Sequence, residues 1–232
     1  MTGRAVSNGH APAVLAMVRA PRRGEVRRAL DPVLGPERCA ALQATLIVHT
    51  IQWGNAVAPG AVHVAHEPAD ACDEIRRLTG DSAVLFPQNG EGIAGRLGDA
   101  VARVFARHEG PLLIVWPDLP RLGPGHARSA LDDLEAGCDV VLGPAIDGGF
   151  YLIGIDRPLP KLFALPENAW RSPDVMTIGL AAARDAGLEI GLLRPERALH
   201  RPADVRAALA DPLLPAELAR VLGKAESVAG RS

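Results

Sequence analysis

The chain has 232 residues, 48% of them hydrophobic, which is ample for one domain with a full core. A formal net charge of −2 and an aromatic content of 3% leave no electrostatic footprint for nucleic acid and no platform for stacking single strands. No run reaches the roughly 18 apolar residues of a membrane span, and the three cysteines, Cys39, Cys72 and Cys138, are too sparse for a disulfide framework or a zinc site, which points to reduced thiols in the cytoplasm.

Residues 1–12 lack the apolar region of a signal peptide and read as a flexible leader. Ala13 to Val18 is a first strand, followed by a basic, Pro- and Gly-punctuated loop, Arg19 to Gly24. Helical spacing of apolar residues predicts a long helix from Pro36 to about Val57. A second strand spans Ala61 to His66, a short helix Asp70 to Leu78, and a third strand Ala83 to Phe86, ending in the Gly-rich loop Asn89 to Gly92. Ile93 to His108 is helical, Leu112 to Trp116 the fourth strand, Pro124 to Ala136 helical, Val140 to Leu142 the fifth strand and Gly149 to Ile155 the sixth. Pro158 to Trp170 is a Pro-rich connection. Ser172 and Pro173 suit the N-cap and first position of a helix running to about Ala186, with Gly187 at its C′ position. A late strand, Glu189 to Leu193, precedes terminal helices from Pro202 and Pro215, and 226–232 is expected to be a flexible tail. Strands alternating with helices imply a mostly parallel sheet covered on both faces, within one domain, 13–225.

Two apolar runs deliver an aspartate each to a sheet edge: Pro111 to Pro120, which holds Asp118, and Asp139 to Gly154, which holds Asp147-Gly148-Gly149. A buried strand that stops at Asp-x-Pro reads as a central parallel strand entering a site. Glycines after Asp147 let backbone approach a ligand, although Asp-Gly is also a hairpin signal. Two carboxylates so placed suit a divalent cation bound to phosphate oxygens.

The segments Asp118-Leu-Pro-Arg-Leu122 and Val141-Leu-Gly-Pro-Ala-Ile-Asp-Gly-Gly-Phe-Tyr-Leu-Ile-Gly154 resemble motifs of the nucleotide-diphospho-sugar transferase superfamily. Within it the chain is similar to an uncharacterised bacterial branch of glycosyltransferase A-like proteins, DUF2064. The resemblance extends more weakly from about Val14 to about Leu209. It implies the GT-A fold, a single-domain, Rossmann-like α/β/α sandwich. It also implies a cytoplasmic transferase that uses a nucleotide or nucleotide-sugar substrate with Mg2+ or Mn2+ and binds neither nucleic acid nor membrane; a homodimer is compatible with it. Some positions depart from the family pattern. Arg19 and Arg27 stand where it has lysines, Ala29 where it has an arginine, and Gly92 where it has an aspartate. Ala198 and His200 replace two aspartates, while Arg96 is kept.

On this resemblance Asp118 and Asp147 are the expected catalytic residues and metal ligands, and His200, although it departs from the family's aspartate, is expected to complete the metal site because imidazole is a competent ligand for manganese or zinc. Arg19, Arg23, Arg27, Gln88, Gly90 and Arg96 are expected at the nucleotide, and Gly148, Gly149 and Trp170 at the acceptor. Each has a plainer alternative: Asp118 as a turn residue before Pro120, the arginines as a solvated loop, Gln88 and Gly90 as an ordinary strand-to-helix loop, Trp170 as core, His200 as a surface residue. The leading expectation is glycosyl transfer from a nucleoside diphosphate-sugar. The alternatives are nucleotidyl transfer with release of pyrophosphate, and a non-catalytic relative that binds a nucleotide or a partner, motivated by Ala29, Gly92, Ala198 and His200.

Overall fold

The structure, a computed structural model, describes residues 10–223. The expected tail and nearly all of the expected leader lie outside the described residues.

One seven-stranded sheet organises the chain: β1 Ala13–Arg19, β2 Val62–Glu67, β3 Val84–Pro87, β4 Leu112–Val115, β5 Val140–Pro144, β6 Phe150–Ile155 and β7 Ile190–Leu192. The order across it is β3-β2-β1-β4-β6-β5-β7. Every pairing is parallel except the two made by β6, which runs against β4 and β5. Helices α1 Asp31–Leu34, α2 Pro36–Val57, α3 Cys72–Thr79, α4 Gly92–Phe105, α5 Pro124–Glu135, α6 Pro160–Phe163, α7 Glu167–Trp170, α8 Val175–Asp185, α9 Pro202–Leu209 and α10 Ala216–Leu222 complete the α/β/α sandwich.

The centre of the sheet shows why β1 is an unbroken apolar run. Successive side chains point to opposite faces of a strand, and both faces here are covered. Val14, Ala16 and Val18 join the core that includes Ile47 and Ile51 of α2, whereas Ala13, Leu15 and Met17 join Leu97, Ala100, Val101 and Val104 of α4. Helix α2 is apolar on its far side too, because Leu42 and Leu46 pack against Leu218 and Leu222 of α10 and Val205 of α9. Its Gly54 lies so close to the sheet that a Cβ would meet Val14 and Val62 at 3.3 Å. Cys39 is buried in this layer, and burial, with Asp31 adding, pushes its thiol up to about 11, as expected of a cysteine acting as a small hydrophobe.

All seven strands lie where the sequence predicts them. Differences fall at element ends, before α2, where the unpredicted α1 forms, and in the Pro-rich connection, which forms the short helices α6 and α7. Helix α8 starts three residues after Ser172, and the Ser172 Oγ instead accepts the amide of Asp174 at 3.0 Å, a local turn. At its other end Gly187, φ 70°, donates to Arg184 and Leu188 donates to Ala183. This is the Schellman closure that Gly187 predicts.

The chain ends of β1, β2, β3 and β4 that emerge on one side of the sheet are the C-terminal ends of parallel strands, where open α/β sheets bind ligands. Arg19 closes β1, Glu67 closes β2, Gln88 follows β3 and Asp118 follows β4.

Candidate functional site

A cleft of about 560 Å³ opens at these strand ends. Its walls include Arg19, Arg28, Arg96 and Arg171 against Glu25 and Glu67, with Gln88 and Trp116 from neighbouring loops and Arg27, Asp118 and His200 at one end.

That end is built by three loops. Asp118 follows the last buried residue of β4; Asp147 sits in the turn joining β5 to β6; His200 precedes α9. The last two loops are tied down locally. The turn closes through Gly148 donating to Ala145 at 3.0 Å and Ala145 donating to Gly149 at 2.8 Å. Gly148 has φ 98°, and a Cβ there would fall 1.7 Å from the Pro173 carbonyl oxygen, so only glycine admits the segment leading into α8. The His200 loop is anchored by Asp204, which is buried and accepts the amides of His200 at 3.2 Å and Arg201 at 2.8 Å and the guanidinium of Arg197 at 2.9 Å.

The side chains then form one continuous chain. Arg27, with 5% of its side chain exposed, donates to Asp118 Oδ1 at 2.9 Å. It also donates to the carbonyls of Pro117 at 2.6 Å and Leu199 at 2.9 Å. Its backbone takes the left-handed conformation, φ 50°, uncommon for a non-glycine residue. The His200 ring lies between the two aspartates, with Nε2 3.3 Å from Asp118 Oδ2 and Nδ1 hydrogen-bonded to Asp147 Oδ2. Asp147 Oδ1 accepts the Gly149 amide at 3.3 Å.

Charge follows geometry. Burial works against the His200 imidazolium, but hydrogen bonds from the ring to Asp118 and Asp147 and their charges outweigh it and raise the ring to about 10. Burial likewise opposes ionisation of Asp118, yet His200 and Arg27 hold it at about 2. The His200 hydrogen bond is the first reason that Asp147 lies below the usual carboxylate range. At neutral pH the chain is therefore Arg⁺, Asp⁻, His⁺, Asp⁻.

This arrangement bears on a divalent cation. A ligating imidazole nitrogen must be unprotonated and open to the metal, but a carboxylate oxygen stands against each His200 nitrogen. Three of the four carboxylate oxygens already take part in a hydrogen bond, and the fourth, Asp118 Oδ2, lies 3.3 Å from His200 Nε2. Among the described residues no group of three His, Cys, Asp or Glu side chains is arranged to hold a metal ion. The residues present do not fit the Mg2+ or Mn2+ expected from the sequence, with His200 as a ligand.

Other expected residues divide between the cleft and its supports. Arg19 and Arg96 line the cleft, joined by Glu67, whose carboxylate lies 2.8 Å from Arg19 Nε and 3.9 Å from Arg96 Nε. Gln88 also lines it, with its amide nitrogen donating to the carbonyls of Val18 at 3.2 Å and Ala65 at 2.9 Å. Arg27 reaches the cleft but spends both terminal nitrogens on protein partners, a positioning role in place of the expected phosphate contact. Arg23 turns outward to Glu37 at 2.9 Å and is largely exposed. Gly90, φ 111°, lies against the first turn of α4, where a Cβ would come within 2.5 Å of Gly95; its constraint is backbone packing. Trp170 packs edge-on to Phe150, with centroids 6.3 Å apart, in an apolar cluster. Gly149 stays beside Asp147 in the turn that the hairpin reading expects, and the residues lining the cleft include neither of these nor Gly148 or Trp170.

Arg28, of the basic cluster that follows β1, also lines the cleft; sequence reasoning passed over Glu67 and Arg171. Glu67 had a readable signal, a charged residue ending a buried strand before a proline. Arg171 had none, because α7 brings it to the cleft from the Pro-rich connection. Glu167 of α7 accepts the Ile93 amide at 2.8 Å, placing a carboxylate at the N-terminus of α4. Among the described residues no helix is long and apolar enough to cross a membrane.

Residues 50–167 match the model of a family described as an uncharacterised protein conserved in bacteria, DUF2064. No curated protein matches the chain. Among solved structures, a candidate nucleotide-diphospho-sugar transferase from Desulfovibrio desulfuricans G20 is 24% identical over 91% of this chain and 93% of that one, with a TM-score of 0.80. A cytidylyltransferase from Leptospira borgpetersenii is 12% identical over 92% of each chain, with a TM-score of 0.54. A CMP:2-keto-3-deoxy-manno-octonic acid synthetase complexed with CTP is 13% identical over 85% of this chain and 96% of that one, with a TM-score of 0.52. At these identities the likeness is one of fold.

Proposed function

The chain belongs to the DUF2064 family, and from that premise we propose that it is a transferase acting on a nucleotide-activated substrate, in the best-supported form a glycosyltransferase taking a sugar from a nucleoside diphosphate-sugar. The observation that carries this reading is the cleft at the C-terminal ends of β1 to β4, lined by Arg19, Arg28, Arg96 and Arg171 and by Arg27, Asp118 and His200 of the linked side chains. Guanidinium forks match phosphate oxygens, so Arg19 and Arg96 hold the diphosphate. Gln88 and its loop face the nucleoside. The acceptor enters on the Asp147-Gly148-Gly149 side, near Trp170.

In the transfer, an acceptor oxygen forms a bond to the anomeric carbon as the bond from that carbon to the diphosphate breaks. The acceptor proton is taken up by the departing diphosphate oxygen along with the electron pair of the broken bond, and the remaining charge is met by the arginines and the His200 imidazolium. Positioning and fixed charge supply the catalysis.

Nucleotidyl transfer is the second reading, favoured by the likeness in fold to a cytidylyltransferase and to a synthetase complexed with CTP. There a phosphate oxygen of the acceptor attacks the α-phosphorus of a nucleoside triphosphate and pyrophosphate leaves.

A thermal-shift screen of nucleoside mono-, di- and triphosphates and nucleotide sugars tests the proposal. A ligand at a hundredfold its Kd adds about 2.7 kcal/mol to apparent stability. The expected result is a shift with one nucleotide class that Arg19→Ala and Arg96→Ala diminish. Release of nucleoside diphosphate or of pyrophosphate on turnover then separates the two transfers. A flat screen on folded protein overturns both and leaves the non-catalytic reading.

A further inference from the structure

We propose that His200 is a built-in replacement for a divalent cation, so that the cleft binds phosphate groups without metal. This rests on the nucleotide-transferase reading for the identity of the bound phosphates, but the absence of a metal requirement rests on the site's own geometry.

The two carboxylates converge on one small space, and the His200 ring fills it. One ring nitrogen faces Asp118 Oδ2 at 3.3 Å and the other is hydrogen-bonded to Asp147 Oδ2. With a carboxylate oxygen against each nitrogen, neither nitrogen is open to a metal, and the arrangement suits a ring that donates at both and carries the positive charge itself. Asp118 and Asp147 are completed on their outer oxygens by Arg27 and the Gly149 amide. The ring is also held from behind, because Asp204 pins the backbone of His200 and Arg201, while Leu199 donates to the Asp118 carbonyl at 2.9 Å and accepts from Arg27. A metal entering here would have to expel an imidazolium from two carboxylates and break the loop contacts that position it.

Charge accounting agrees. A carboxylate at position 200 together with a bound divalent cation would carry one net positive charge, the same as His200 alone. The exchange leaves the electrostatics toward a phosphate unchanged while removing the need for an ion. The end wall of the cleft thus carries its own cation, on a side chain that is 39% exposed.

The test uses full-length protein stripped of metal, with Mn2+ and inorganic pyrophosphate as probes. Electron paramagnetic resonance reads free Mn2+ in a titration of wild type and of His200→Asp, and calorimetry reads pyrophosphate binding with and without EDTA. Wild type is expected to leave Mn2+ free and to bind pyrophosphate with less than about a twofold change on adding EDTA. His200→Asp is expected to take up about one Mn2+ per chain and to lose roughly tenfold or more of its pyrophosphate affinity in EDTA, as a site that has regained a carboxylate set should. Stoichiometric Mn2+ uptake by wild type, lost in Asp118→Asn, overturns the proposal, as does pyrophosphate binding by wild type that EDTA abolishes. If His200→Asp fails to fold, the wild-type titrations decide the matter alone. If pyrophosphate and nucleotides both fail to bind wild type, the nucleotide reading and the phosphate-binding half of this proposal fall together, while the Mn2+ titration still decides whether His200 keeps a metal out.

Discussion

Removing the Arg27 side chain should expose how much of the site's order depends on one buried guanidinium. Arg27 neutralises Asp118 and satisfies the carbonyls of Pro117 and Leu199, at 2.9, 2.6 and 2.9 Å. Breaking a buried ion pair by deleting one partner costs about 3–5 kcal/mol. Asp118 retains 24% exposure, so water recovers part of this, and about 2–4 kcal/mol is expected for Arg27→Ala. Against a typical total of about 5–15 kcal/mol, that is a large share. Urea denaturation followed by tryptophan fluorescence, with Trp116 at the cleft as a local reporter, should show the midpoint falling by roughly 1–2 M. The same experiment on Asp118→Asn and on the double variant isolates the pair. Once Asp118 carries no charge, deleting Arg27 should cost at least about 1.5 kcal/mol less, the scale of a hydrogen bond to a charged group. Additive single effects, or a loss under about 1 kcal/mol for Arg27→Ala, would refute the view that this pair organises the site. Arg27→Lys separates charge from fork geometry: it should restore part of the Asp118 contact but not both carbonyls.

The remaining predictions concern charge and close contact. His200 holds its proton more tightly in the folded chain, so its contribution is full below about 6.5 and lost as pH rises through about 10. Asp118 works in the other direction, contributing above its ordinary value and losing that contribution as pH falls through about 2. The stability gap between wild type and His200→Gln, about 1–2 kcal/mol after allowing for the partly exposed ring, should therefore shrink steadily in denaturation curves taken from neutral to alkaline pH; a gap independent of pH would count against the imidazolium. Gly148→Ala should cost about 2 kcal/mol or more and displace Asp147, because the new methyl meets the Pro173 carbonyl in a backbone region disfavoured for any other residue; a variant with wild-type stability would disprove the contact. Glu67→Gln removes the negative charge between Arg19 and Arg96 and should tighten pyrophosphate binding several-fold at low salt, an effect that salt screens; weaker binding would place Glu67 among the ligand's partners.

Local pattern alone was enough to locate the seven strands, because a strand buried on both faces must be an apolar run, and the glycines and prolines beside it mark where it stops. Leu112 to Val115, for example, reads as a central strand from composition, and all four of its residues are buried. The helix stop at Gly187 was equally legible, since a left-handed C′ residue is a local requirement. Asp118 and Asp147 could be picked out as strand-end carboxylates, each from its own stretch of chain. What no local rule could show is that the His200 ring would come to rest between them. That contact joins the end of β4, the β5–β6 turn and the loop before α9, and it exists only after β6 inserts between β4 and β5 and Asp204 fixes the last loop. The same holds for Arg27, whose sequence neighbourhood suggests a solvated basic loop but whose backbone turns left-handed and sends the side chain inward to Asp118. Sequence determined which groups stand at the sheet's edge, because burial and turn chemistry are short-range; tertiary structure decided which of them meet and therefore which are charged, because hydrogen bonding and electrostatics depend on distances that only the closed fold sets.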